Sequence, residues 1–267
     1  MRNDTLMKTF HFVMQGKGGS GKSFVANLIG QYIKQLDPNN LILDTDPLNQ
    51  SLYKIKGLNC QFINILNDKR DDIDQSKFDI IFQKVLASDA DHIVIDTGSS
   101  AFLQLCTYIK KQQIIELLDS MGYLTKFHFV INGGSEQNEA MKLTIEFANT
   151  LYHIENQNKG YYEHYKPLVL WLNPMPDKLK FNNNNIYEDS SYQLMESLID
   201  LIIYIPPYGQ YGLLKRDIFS MRDQLLTFDE FYKQTYNETT GQFSIVSKHR
   251  MKIYQTTIYQ SIEPIFN

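Results

Sequence analysis

The stretch Gln15 to Ser23, "QGKGGSGKS", limits the fold more than any other part of the chain. It follows an apolar run from Thr9 to Met14 and opens a helical pattern at Lys22. Its spacing, Gly16-x-x-x-x-Gly21-Lys22-Ser23, is that of a phosphate cradle. Glycines let the backbone curl so that its N–H groups point inward, and the positive end of the following helix favours an anion there. The amides from Gly18, Gly19, Ser20 and Gly21 through Lys22, Ser23 and Phe24 form the expected binding set. The Lys22 ammonium suits β- and γ-phosphates, and the Ser23 hydroxyl suits Mg²⁺. Such a loop belongs at the carboxyl end of a parallel strand, which makes a crossover α/β fold the expectation.

The rest of the chain fits that frame. Apolar runs of strand length near 9–15, 40–45, 92–97, 126–132, 167–173 and 200–205 alternate with longer helical patterns. Those patterns predict helices at 22–36, 76–88, 101–118, 136–152, 187–199, 210–224, 228–236 and 245–262. The predicted architecture is α/β: a three-layer P-loop NTPase fold with a mostly parallel central sheet flanked by helices. One domain is expected over 1–267, with irregular surface insertions near 155–165 and 177–199 and C-terminal helices within 210–262. The 267 residues are 43% hydrophobic and 21% charged, enough for a substantial core.

Two later strand ends supply acids. "LILDTDP" places Asp44 and Asp46 after one run, and "HIVIDTG" places Asp96 after another. The carboxyl ends of parallel strands share one rim, so these acids can converge on bound phosphates. Asp96 and Asp44 suit metal support, and Asp46 suits positioning of an attacking water. Lys17 is a second lysine in a loop that needs only one. ATP carries about four negative charges, of which Mg²⁺ and Lys22 offset about three. Three placements are open for Lys17: its own nucleotide, a nucleotide held by a facing subunit, or solvent.

The segment Lys17-Gly18-Gly19-Ser20-Gly21-Lys22-Ser23 resembles the deviant P-loop, KGGxGK[ST], of the ParA/MinD family of dimeric ATPases. "DTDP" (44–47) resembles that family's first switch and "IVIDTG" (93–98) its second. The resemblance implies an ATP-dependent homodimer in which Lys17 reaches the partner's phosphates, Lys22 binds phosphate in cis, Asp46 orients water and Asp96 supports Mg²⁺. It also implies that Asn173, Pro206 and Pro207 lie near the base. Short blocks between residues 10 and 235, among them "INGGSEQNEA", "VLWLNP" and "YIPPYG", are similar to the TraL family of conjugative transfer systems. That similarity implies ATP and Mg²⁺ as ligands and assistance to conjugative DNA transfer, with conjugation or secretion components as partners. The alternatives are a partition or positioning ATPase binding DNA, and a weakly hydrolysing adaptor for a relaxase or secretion component. The chain departs from the family at Ser20, where valine is common, at Leu48, where partition ATPases carry glutamine, and at Gly98-Ser99, where a diproline is usual.

Other chemistries find little footing. The six histidines show no His-x-x-x-His pair, no G-x-S-x-G elbow occurs, and Cys60 and Cys106 form no CxxC motif. A net charge of −4 gives no general attraction to nucleic acid. Local basic patches remain at Lys178/Lys180, Lys215/Arg216 and Lys248/Arg250/Lys252. Gly133-Gly134-Ser135 reads as a turn with Ser135 capping a helix. No apolar stretch reaches the ~18 residues of an integral membrane segment, a cytoplasmic location is expected, and the final helix is expected to dock on the domain.

Overall fold

The computed structural model describes residues 8–37, 39–70, 72–157, 166–174, 178–181, 185–207 and 212–266. Its centre is a seven-stranded sheet: β1 (Thr9–Met14), β2 (Leu41–Asp44), β3 (Gln61–Phe62), β4 (His92–Asp96), β5 (Leu124–Asn132), β6 (Leu168–Asn173) and β7 (Ile199–Tyr204). The spatial order is β3-β2-β4-β1-β5-β6-β7. Each neighbouring pair is parallel, so the sheet is wholly rather than mostly parallel. Strands buried on both faces carry nearly continuous apolar runs, which is why they were legible as blocks.

Alternation along β1 divides the core. Phe10, Phe12 and Met14 join one apolar cluster, and Val13 joins the other. Helices α2 (Ser76–Leu86), α3 (Phe102–Lys111), α4 (Ile114–Ser120) and α5 (Gln137–Gln157) supply residues to the first. On the opposite face lie α1 (Lys22–Leu36), α7 (Leu213–Asp223), α8 (Phe228–Lys233) and α9 (Ile245–Ile262). A short α6 (Ser190–Gln193) precedes β7.

Three expectations need correction. The helix predicted over 101–118 is two helices, because Gln113 takes the left-handed conformation (φ 51°) between them. The chain turns there, so that Leu105, Tyr108 and Ile109 and then Ile114, Ile115 and Leu118 face the same core. The helix predicted over 187–199 is α6 between two 3₁₀ turns. Asn185 and Asp189 accept backbone N–H bonds from Tyr187 and Ser191, which start new turns instead of a continuous helix. β3 is two residues long, too short to leave an alternation pattern. Of the segment 155–165, residues 158–165 lie outside the described residues, as do 182–184 of the asparagine run.

Candidate nucleotide site

β1 lies between β4 and β5, so the chain leaving β1 emerges where neighbouring strands connect in opposite directions. That crevice is the usual ligand position in an open α/β sheet. The glycine loop fills it. Gly19 (φ 74°) and Gly21 (φ 104°) are both left-handed. Gly21 caps α1 without a side-chain hydrogen bond, which leaves the first amides of the helix to another acceptor. The Asn173 amide nitrogen donates to the Ser20 carbonyl oxygen at 3.1 Å and braces the loop. A Cβ on Gly21 would lie 2.8 Å from that same nitrogen.

The loop borders a cleft of about 500 Å³. Gly18, Gly19, Gly21, Lys22, Ser23, Phe24 and Asp46 all line it. Lys22 is 7% exposed, and its ammonium donates to the Lys17 carbonyl oxygen at 3.0 Å. Burial lowers its pKa, while Asp96 and Asp46 oppose that shift. A buried ammonium answered by nearby carboxylates is a cation poised for an anionic ligand.

The acids divide into three roles. Asp44 is fully buried and its carboxylate accepts backbone N–H bonds from Asp46 (2.9 Å), Leu52 (3.0 Å) and Tyr53 (2.9 Å). Burial raises its pKa, and those amides hold it down. Its oxygens are engaged in folding the 44–53 loop, so it stands apart from the metal role expected for it. Asp46 accepts from the backbone N–H groups of Leu48 and Asn49 and from the Asn49 side chain, and still faces the cleft.

Asp96 differs. It is fully buried, and neither carboxylate oxygen meets hydrogen-bond geometry with a described residue. The Ser23 hydroxyl is near enough to lower its pKa without closing a bond. Burial and Asp44 outweigh Ser23 and Lys22, and its pKa stands at about 8. Two orphaned carboxylate oxygens beside a hydroxyl fit a hard divalent cation, which favours oxygen ligands. Gly98 allows the two acidic loops to meet, since a Cβ there would fall 3.2 Å from the Asp46 Cα.

Other expected residues sit elsewhere. Ser20 is fully buried beneath the loop, with its hydroxyl unpaired. Lys17 turns away from the cleft to Glu136 (2.5 Å) and Glu139 (3.1 Å) at the start of α5. Asn173 supports the loop without lining the cleft. Pro206 and Pro207 follow β7 outside the lining, and residues 208–211 beyond them lie outside the described residues. The basic patches are largely engaged within the fold. Arg250 donates twice to the buried Asp217, Arg216 donates to its other oxygen, and Lys248 donates to the Gln234 carbonyl oxygen. Asn27, Asn49, Lys54 and Arg222 also line the cleft without having been expected there. Asn49 and Lys54 follow "DTDP" closely enough to have been suspected. Arg222 arrives only through tertiary packing.

Among the described residues, no helix is long and apolar enough to cross a membrane. No family model matches the chain. It is 30% identical over 260 residues to a Protein TraL of Escherichia coli, covering 96% of this chain and 98% of the relative. It is 29% identical over 264 residues to another Protein TraL of Escherichia coli, with the same coverage. A solved structure of the MinC:MinD cell division protein complex of Aquifex aeolicus superposes with a TM-score of 0.50. That alignment covers 92% of this chain and 95% of the other at 14% identity, a likeness of fold.

Proposed function

The chain belongs to the TraL family, and on that premise we propose that it binds and hydrolyses ATP in the cytoplasm to assist conjugative DNA transfer. The observation that carries this reading is Asp96, whose two orphaned buried oxygens stand behind a glycine cradle containing Lys22 and Ser23. Without a cation, that arrangement is costly for the fold. With Mg²⁺ and a polyphosphate, each group has a partner.

The loop amides and Lys22 hold the phosphates, and Ser23 with Asp96 would hold Mg²⁺. The bound metal supplies charge neutralisation at the phosphoryl oxygens. Asp46 keeps a water in position for attack, while its bonds to Leu48 and Asn49 restrain its rotamer. The water attacks the terminal phosphorus, the bridging bond to ADP breaks, and phosphate leaves with the water's oxygen. The reaction runs slowly without a partner. The ATP-bound form is a homodimer in which Lys17 leaves Glu136 and Glu139 for the partner's phosphates. The internal engagement of Arg216 and Arg250 speaks against the DNA-partition alternative.

The test combines phosphate release with mass in solution for protein without nucleotide, with Mg-ADP and with Mg-ATP. Mg²⁺-dependent turnover and an ATP-specific dimer are expected. Asp46→Ala binds ATP, keeps it and dimerises. Absence of any nucleotide binding by the wild-type protein overturns the reading.

A further inference from the structure

We propose that Arg222, at the end of α7, supplies a cation from the same chain to the polyphosphate bound in the cleft. The inference rests on the nucleotide-binding reading above and adds to it a residue outside the glycine loop. Three observations support it. Arg222 lines the cleft together with Gly18, Lys22 and Ser23, although about 200 residues separate them in sequence. Its guanidinium lies 5.7 Å from the Phe24 ring centroid and 5.2 Å from that of Phe219. Phe24 is the third residue of α1, so the guanidinium is held beside the helix turn whose amides open toward the phosphates.

The third observation is charge pairing. Lys17 is paired with two glutamates, and the Lys54 ammonium donates to the Asn49 carbonyl oxygen at 2.7 Å. Arg222 has aromatic neighbours but no acceptor among the described residues. Stacking engages the faces of a guanidinium and leaves its N–H edge free, and a planar fork of donors matches phosphate oxygens. Asp223 also lines the cleft, and its carboxylate repels a polyphosphate unless a neighbouring cation offsets it. The cis cation and the Phe24 ring form one device. The ring after Ser23 is the platform that aims the arginine.

The experiment measures affinities of wild type, Arg222→Ala, Arg222→Lys and Lys22→Ala for Mg-ATP, Mg-ADP and AMP by titration calorimetry, with thermal midpoints as a folding check. Loss of one charge-assisted phosphate contact should weaken ATP about tenfold in Arg222→Ala. ADP should weaken less and AMP by under about twofold, and Arg222→Lys should recover part of the ATP loss. Unchanged ATP affinity in Arg222→Ala, with binding abolished in Lys22→Ala, overturns the Arg222 assignment and leaves the site reading intact. An equal loss for all three nucleotides also overturns it, because a residue acting through the base or the fold does not count phosphates. If the wild type binds none of them, the site reading falls, and the inference with it.

Discussion

Two buried polar clusters lie in the same sheet and are handled differently. At the carboxyl end of β4 and β2, Asp96 and Asp44 share a rim with Lys22. Further back, His11 of β1, His128 of β5 and Trp171 of β6 form a chain across the sheet. The indole N–H of Trp171 can only donate, so His128 Nδ1 accepts it at 3.0 Å. His128 Nε2 then carries the proton and donates to His11 Nδ1 at 3.1 Å. One neutral tautomer serves both bonds and leaves the buried His11 Nε2 without a partner, and the rings of His92 and Phe266 pack beside it. Among the described residues, the histidine cluster bonds both nitrogens of His128 and one of His11 but leaves the neutral His11 Nε2 and His92 Nδ1 without partners; the acid cluster leaves both ionisable oxygens of Asp96 without partners. Burial alone therefore does not mark a site. An unpartnered carboxylate, costlier to bury than a neutral imidazole nitrogen, does.

The largest expected effect comes from breaking the acid cluster. Lys22→Ala removes the cation facing Asp96 and Asp46 and should weaken ATP by about 100-fold or more. Calorimetry showing wild-type affinity would make the cluster as self-contained as the histidines. Backbone strain ranks next. Gly21→Ala meets a left-handed φ and the Asn173 side chain, and should lower unfolding free energy by ~1–3 kcal/mol. Gly19→Ala meets the φ penalty but no atom within 4 Å, and should cost ~1–2 kcal/mol. Urea denaturation of the two variants side by side checks that order.

The histidine end should show itself through pH. Burial first, then the neighbouring His128, holds His11 well below its ordinary pKa, and burial with Lys126 places His128 at about 3. A depressed histidine pKa means that the unfolded chain binds the extra proton. Stability is then complete above about 6.5 and falls as pH drops toward the folded values, by up to ~1.4 kcal/mol per unit for each group. In urea unfolding at pH 7.0, 6.0 and 5.0, His11→Phe should flatten that slope. An unchanged slope would assign the acid sensitivity to other groups.

The smallest effect concerns Lys17. Its two ion pairs are partly exposed and screened by water, so Glu136→Gln with Glu139→Gln should leave the urea midpoint almost unchanged. Releasing Lys17 should nevertheless strengthen ATP-dependent dimerisation several-fold, whereas Lys17→Ala should weaken it and spare ATP binding by the monomer. Sedimentation with Mg-ATP would refute the trans role if all three proteins dimerised alike.

The sequence by itself determined the parts that depend on local pattern. The P-loop, the start of α1 at Lys22, the six longer strands and the rim acids Asp44, Asp46 and Asp96 all follow from apolar runs, glycine positions and strand-end residues. Periodicity could not find β3, because two residues have no period, nor the break at Gln113, because the same apolar face continues beyond it. Only the tertiary structure separated three aspartates that look alike in sequence. Asp44 is closed by backbone amides, Asp46 faces the cleft, and Asp96 is left without a partner. It also turned Lys17 toward Glu136, set Asn173 under the loop and carried Arg222 to Phe24. The physical reason is range. Backbone preference and amphipathic period act over a few neighbouring residues, whereas solvation and charge pairing are settled by atoms that folding brings together from distant parts of the chain.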